Sequence, residues 1–99
     1  MTEAENEISC ASLLKVLADE TRLAVVRQLI DGPKHVAEIN ASLGLELSLM
    51  SHHLKVLRDA GLVSAERDGK AVLYSLSPQL RTSVRGEAIN LGCCRISFQ

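Results

Sequence analysis

Hydrophobic residues recur at spacings of three and four over the first sixty residues, which predicts a series of short amphipathic helices. The predicted helices span 7–18, 19–32, 36–43 and 48–62. Gly44 lies in the short connection between the last two. A helix, a glycine-containing turn and a second helix are typical of a helix-turn-helix.

The fourth predicted helix has an apolar back and a polar front. Met50, Leu54 and Leu57 fall on one face. The opposite face carries short donors and cations, namely Ser48, Ser51, His52 and Lys55. A core can hold such a helix while its front offers donors to base edges in the major groove of DNA. An ordinary amphipathic surface helix has the same pattern, so this stretch alone leaves both interpretations open.

After Gly61 the pattern changes from helical spacing to alternation. Residues 62–67 and 71–76 alternate on either side of Asp68-Gly69, which is a hairpin-turn signal. A two-stranded hairpin directly after a helix-turn-helix is a wing. Its tip carries Arg67 and Lys70, which are placed for a minor-groove or phosphate contact.

The end of the chain predicts a fifth helix, with Ser77 as its N-cap and Pro78 as its first residue. Its apolar face would consist of Leu80, Val84, Ala88 and Leu91. The fold predicted for residues 1–99 is therefore a single, mainly α, winged helix-turn-helix domain with five helices and a two-stranded wing. The first helix has a broader apolar arc than one neighbour would cover, which indicates a homodimer.

Composition refines this picture. The chain of 99 residues is 46% hydrophobic but only 2% aromatic, so its core must be aliphatic. The net charge of −1 is low for a nucleic-acid binder. The acidic residues are concentrated at the start, however, because residues 1–20 hold five acids and one lysine. The rest of the chain is slightly basic, with ten bases and seven acids. Phosphate attraction would then come from a few placed cations and a second subunit. We expect a cytoplasmic protein without a membrane partner, because no signal peptide or membrane-length apolar run is present.

Five short segments occur together and in order: Leu17–Leu23, Ser51–Leu57, Ala60–Val63, Asp68–Lys70 and Tyr74–Leu76. This set resembles the arsenic-repressor (ArsR/SmtB) family of bacterial winged-helix transcriptional regulators, over about residues 13–76. The resemblance implies a homodimer joined through its first and last helices, which represses an operon until an inducer releases it from operator DNA. It also implies that Ser48, Ser51, His52 and Lys55 contact the operator and that the wing enters the flanking groove. Leu49 stands where the family pattern often has Thr.

The cysteines carry the candidate sensing chemistry. Residues 35–37 read His-Val-Ala, where arsenic-sensing members of the family often have Cys-Val-Cys. Residues 77–99 contain neither His nor Asp, which zinc-sensing members use on the last helix. Cys10 on the first helix and the pair Cys93-Cys94 near the end remain. Three thiols without clustered imidazoles or carboxylates favour a soft ion. Trivalent arsenic or antimony, which takes three thiolates, is the predicted inducer.

The same thiols are compatible with different chemistry. Cys10 could pair with Cys93 or Cys94 as a disulfide or polysulfide bridge, which would give a redox- or persulfide-sensing repressor. Cys10 alone could also pack as a small hydrophobe. A winged-helix module that binds another protein would suit the low net charge, although the polar front of the fourth helix argues against it.

The remaining polar residues do not indicate an enzyme. No Ser/His/Asp or Cys/His pairing has a catalytic context, and no glycine-rich phosphate loop is present. We therefore expect no organic cofactor. His53 is expected to pack against a neighbouring helix or contact phosphate, and His35 is expected to face solvent.

Overall fold

The structure of the protein is a computed structural model that describes residues 9–80 and 88–98. The four helices in these ranges are α1 (Cys10–Leu17), α2 (Glu20–Ile30), α3 (Val36–Ala41) and α4 (Leu47–Asp59). The strands are β1 (Lys34–His35), β2 (Val63–Asp68), β3 (Ala71–Leu76), β4 (Ala88–Asn90) and β5 (Arg95–Ser97), and Pro78–Leu80 forms a 3-10 turn. The predicted winged helix-turn-helix is confirmed. None of the helices in the described ranges is long and apolar enough to cross a bilayer.

Local hydrogen bonds set where the helices begin and turn. Asp19 caps α2, since its carboxylate accepts a hydrogen bond from the backbone N–H of Arg22 at 3.0 Å. This bond holds the pKa of Asp19 below its usual value. Asn40 closes the turn between α3 and α4, because its side chain donates to the carbonyl of Leu45 at 2.8 Å and accepts from the same residue's N–H at 2.9 Å. Gly44, with φ +64°, supplies the left-handed residue of this turn.

The wing is part of a three-stranded antiparallel sheet in the order β1-β3-β2. Asp68 pairs with Ala71 across the hairpin turn. On the other edge of β3, His35 of β1 pairs with Leu73. The residue that precedes α3 is therefore joined to the wing by the sheet.

The core is aliphatic and centred on the back of α4, where Met50, Leu54 and Leu57 are at most 1% exposed. Each such side chain contributes roughly 1.5–3 kcal/mol through burial. Further fully buried positions come from α2, α3, the start of the wing and the C-terminal region: Val25, Val26, Leu29, Ile39, Leu62 and Ile89. This packing fixes α4 with its polar face outward.

The prediction of a fifth helix through residue 91 is wrong for the residues described. Leu80 ends a 3-10 turn, Ala88 begins strand β4, and Leu91 lies in the turn after it; Val84 lies outside the described residues. Strands β4 and β5 form a separate antiparallel hairpin in which Ile89 pairs with Ile96. Ile89, which is not part of the predicted helical face, is fully buried in the main core, so the burial of this segment follows the strand and not the helical spacing.

Candidate functional site

The outward face of α4 carries the polar residues predicted from the sequence. Ser48, Ser51, His52 and Lys55 are all exposed. Lys55 donates to Asp59 at 2.8 Å one turn further on, and this bond lowers the pKa of Asp59. Within the described residues, the hydroxyl groups of Ser48 and Ser51 make no hydrogen bond, so both remain available to a ligand.

The wing tip presents two cations. Arg67 and Lys70 are exposed on either side of the turn, where Gly69 has φ +66°. The acid between them, Asp68, is bound instead to His35, with Nε2 and Oδ2 2.8 Å apart. Neither cation forms a salt bridge within the described parts of the chain. The tip therefore presents two cations that no carboxylate of the described residues pairs with.

His35 lies at the surface, as expected from the sequence, but its ring is also bound by two carboxylates. Its ring bridges Asp68 of the wing and Glu38 of α3, the latter at 3.2 Å from Nδ1. The Asp68 hydrogen bond, helped by Glu38, raises the pKa of His35. The backbone N–H of His35 donates to Glu38 at 2.8 Å and lowers the pKa of that carboxyl. The pairing of β1 with β3 creates this contact, and spacing along the chain does not reveal it.

The three cysteines converge although 83 residues separate the first from the second. Cys10 is the first residue of α1, while Cys93 and Cys94 lie in the turn between β4 and β5. Cys10 and Cys93 form a disulfide bond, with a Cα–Cα distance of 6.0 Å. The free Sγ of Cys94 lies 3.6 Å from that of Cys10, and all three sulfur atoms lie within 4.8 Å of one another.

The composition of this thiol cluster (Cys10, Cys93 and Cys94) limits its chemistry. It contains sulfur only, because no His, Asp or Glu joins the group among the residues described. Once its disulfide bond is reduced, the cluster can offer three thiolates to one soft ion. Cys93 is exposed and the other two are half-buried, so a small inducer or oxidant can reach the sulfur atoms.

One side chain connects the helix that carries Cys10 with the polar helix α4. Arg22 Nε donates to the carbonyl of Val16, near the end of α1, at 2.7 Å. Its Nη1 lies 3.2 Å from Nδ1 of His53, which is 8% exposed and belongs to α4. His53 is thus buried in the fold and in contact with Arg22. This agrees with the expectation that it packs against a neighbouring helix. No sequence signal indicates the Arg22–His53 contact, since it joins residues 31 positions apart.

Comparison with known proteins places this geometry in a family. The sequence model described as "Bacterial regulatory protein, arsR family" matches residues 19–65, which extend from the α2 cap into the wing. The transcriptional regulator NmtR of Mycobacterium tuberculosis is 40% identical over 79 residues, which are 80% of this chain and 66% of NmtR. This chain therefore spans just under two thirds of that relative's length.

Solved structures agree with the sequence match. HlyU from Vibrio cholerae is 32% identical with a TM-score of 0.68, and the match covers 87% of this chain and 86% of HlyU. The homodimeric winged helix-turn-helix DNA-binding domain of Mb0332 from Mycobacterium bovis is 33% identical with a TM-score of 0.63, covering 68% of this chain and 62% of that domain. These relatives are regulators and not enzymes, in agreement with the sequence analysis. This chain belongs to the arsR family of bacterial regulatory proteins.

Proposed function

We propose that the protein is a DNA-binding transcriptional repressor that leaves its operator when a thiophilic inducer binds the thiol cluster. The observation that carries this proposal is the convergence of three Sγ atoms within 4.8 Å, beside a fold that exposes a polar helix face and a cationic wing tip. A regulator of this kind acts where the chromosome is, so the proposal includes a cytoplasmic location.

The proposed DNA interface has two parts with different tasks. The exposed donors of α4, namely Ser48, Ser51, His52 and Lys55, would contact base edges in the major groove. Arg67 and Lys70 of the wing tip would contact the sugar–phosphate backbone or the flanking minor groove. Phosphate contacts position a protein without specifying sequence, so specificity would reside in α4.

The proposed inducer is trivalent arsenic or antimony held by thiolates of Cys10, Cys93 and Cys94. Both are soft centres that prefer sulfur, and the cluster provides sulfur alone. A tetrahedral zinc site takes four ligands. The cluster offers three, which favours the three-coordinate ions.

The contacts of Arg22 suggest how a change at the thiol cluster would reach α4. Cys10 begins α1, and the carbonyl of Val16 near the other end of that helix is bound to Arg22. A shift of α1 would therefore move Arg22 and, with it, the contact to His53 on α4. A coupling of ~1–3 kcal/mol would change operator affinity ~5–150-fold.

The proposal includes a homodimer. Leu14 of α1 is 42% exposed, although it belongs to an otherwise apolar arc, so a second subunit would bury it. Two copies of α4 could then contact half-sites about one DNA turn apart. Because residues 88–91 are not helical, any contribution of that C-terminal segment to the interface would come from the β4–β5 hairpin and not from a helix.

A second candidate function is redox or persulfide sensing by the same repressor, and the Cys10–Cys93 disulfide favours it. Closing this bond removes two electrons and two protons from the two thiols, and an oxidant of the peroxide class accepts them. The bond joins α1 to the β4–β5 hairpin, so its formation or loss would also change what α1 contacts. In this mechanism Cys94 remains a free thiol beside the bond.

Titration of an operator complex separates the two candidates. The upstream region of the protein's own gene is bound to reduced protein, and arsenite, antimonite, cadmium, zinc, a peroxide or a persulfide donor is added. Under the leading proposal arsenite or antimonite releases the DNA, and each of Cys10→Ser, Cys93→Ser and Cys94→Ser binds DNA normally but loses the response. Ser97→Ala, on the same hairpin, serves as the control and should respond as the wild type does.

The outcomes differ clearly. If Cys94→Ser responds fully to the peroxide or persulfide donor and the wild type ignores arsenite, the redox candidate replaces the leading one. If the wild-type protein binds neither its upstream region nor any selected duplex, DNA binding itself is refuted and a protein-interaction module remains. HlyU is named a transcriptional activator, so a reporter fused to the promoter must also show that the regulator lowers transcription.

A further inference from the structure

Two large hydrophobic side chains are exposed at the start of α4, where a buried or polar residue would be expected. Leu47 is 67% exposed and Leu49 is 44% exposed. Only one other large hydrophobic residue among those described, Leu14 of α1, is comparably exposed. Single exposed leucines are common, but two within three residues of the helix that should contact DNA require an explanation.

The two leucines flank the polar face. Successive residues of an α-helix are rotated by about 100°, so Leu47 and Leu49 lie on either side of Ser48. Ser48 projects from the middle of the outward face, opposite the buried Leu57 and Met50. The first turn of a recognition helix is the part that contacts base edges. Leu47 and Leu49 therefore lie on the two flanks of this first turn, about 200° apart around the helix, where they would meet base pairs on either side of the one contacted by Ser48.

The chemistry of the major groove offers one apolar group to such side chains, the C5-methyl group of thymine. We propose that Leu47 and Leu49 recognise thymine methyl groups in each operator half-site, next to the base contacted by Ser48. This inference rests on the proposed DNA binding and adds a sequence preference to it. It also assigns a role to Leu49, which differs from the Thr common at this position in the resembling family.

The surroundings of the leucines favour DNA over a protein as the occupant. Ser48 separates the two side chains, and the neighbouring Ser51, His52 and Lys55 are polar and exposed, so no continuous apolar patch forms. Protein interfaces instead centre on aromatic, Met and Arg anchors with few charges in the middle. The wing tip of the same domain adds Arg67 and Lys70, which have no salt-bridge partners among the described residues and therefore suit phosphates.

Replacement of thymine by uracil tests the inference directly, because it removes the methyl group and leaves every hydrogen-bonding edge intact. A duplex selected by the wild-type protein from a random library is synthesised with deoxyuridine at one thymine at a time. Affinities are compared by fluorescence anisotropy at one fixed salt concentration, since salt alone changes affinity strongly. We expect about a fourfold loss at each contacted thymine, as burial of a single methyl group would give.

The protein variants complete the test. Leu49→Ala and Leu47→Ala should each bind the thymine duplex about as weakly as the wild type binds the duplex with uracil at that leucine's thymine, and should no longer distinguish thymine from uracil at that position. Arg67→Ala is the matched control and should bind both duplexes more weakly while keeping the wild-type ratio. Because both leucines are exposed, neither alanine variant is expected to unfold.

Two results would overturn the inference in distinguishable ways. If the wild-type protein selects a duplex but binds its uracil forms equally well at every position, the methyl contacts do not exist and DNA binding itself survives. If no duplex is selected above background, the proposed function fails and the inference fails with it. If both leucine variants keep the wild-type discrimination at every thymine position, the assignment of these two residues is likewise refuted.

Discussion

Replacement of Arg22 by alanine should destabilise the protein strongly, although this side chain lies outside the aliphatic core. Arg22 donates to the carbonyl of Val16 at 2.7 Å and contacts Nδ1 of His53 at 3.2 Å. His53 is 8% exposed, so water would not easily replace the lost partner. A buried polar group left without its partner costs about 1–3 kcal/mol, and the half-buried Val16 carbonyl adds a smaller amount. We expect a loss of about 2–4 kcal/mol in the free energy of unfolding.

Urea denaturation followed by far-UV circular dichroism measures this loss, at one fixed protomer concentration because dimerisation contributes to stability. With a slope of about 2 kcal/mol per M, the midpoint should fall by about 1–2 M. Arg22→Lys keeps the charge but cannot serve both partners, so its loss should be intermediate. Arg58→Ala changes an exposed arginine on α4 and should alter stability by less than about 0.5 kcal/mol.

A double-mutant cycle isolates the Arg22–His53 contact from the rest of the effect. The losses caused by Arg22→Ala and His53→Ala should not add, and the difference should be about 1 kcal/mol. The reasoning is refuted if Arg22→Ala is as harmless as Arg58→Ala, or if the two losses are additive. Either result would mean that α1 and α4 are not connected through this side chain.

Three further outcomes are expected. Ser51→Ala should reduce discrimination between operator variants by ~1–3 kcal/mol. Arg67→Ala should weaken binding to operator and random DNA alike and flatten the salt dependence of binding. Competition binding at several salt concentrations measures both effects, and the assigned roles are rejected if the two variants show each other's effect. Leu14→Glu should give a monomer or an unfolded chain without DNA binding, and sedimentation of the wild type as a folded monomer at micromolar concentration would contradict the dimer. The pKa of His35 is raised above 6.5 by Asp68 and Glu38, so its stabilising effect is full below that pH and is lost as the pH rises through the folded-state pKa. The difference in urea midpoint between wild type and His35→Gln should therefore shrink from pH 6 to pH 8.5, and a constant difference would exclude the ionic contact.

The helices, the turn and the wing could be predicted from the sequence because each depends on neighbours along the chain. The spacing of Met50, Leu54 and Leu57 predicts α4 and its buried face, since residues three and four apart lie on one side of a helix. Asp19 predicts the start of α2, and the alternation around Asp68-Gly69 predicts the wing. These features also place the exposed donors of α4 on the outward face.

The C-terminal segment shows where local pattern fails. Leu80, Ala88 and Leu91 have helical spacing, yet residues 88–90 form a strand, because Ile89 is buried in a core built by distant residues. Short segments have little intrinsic preference, and tertiary packing decides between helix and strand for them. Ile96 lies between the polar residues Arg95 and Ser97, which is typical of a strand, but Ile89 follows the apolar Ala88 and gives no such local sign.

Contacts that join distant parts of the chain were decided by the tertiary structure alone. The sequence showed that Cys10, Cys93 and Cys94 were the candidate thiols, because no other soft ligands cluster along the chain. Only the fold brings α1 against the β4–β5 turn and so places the sulfur atoms together. The bridge from His35 to Asp68 and the link from Arg22 to His53 have the same origin. Periodicity reports which face of an element is buried, but it contains no information about which other element will cover that face.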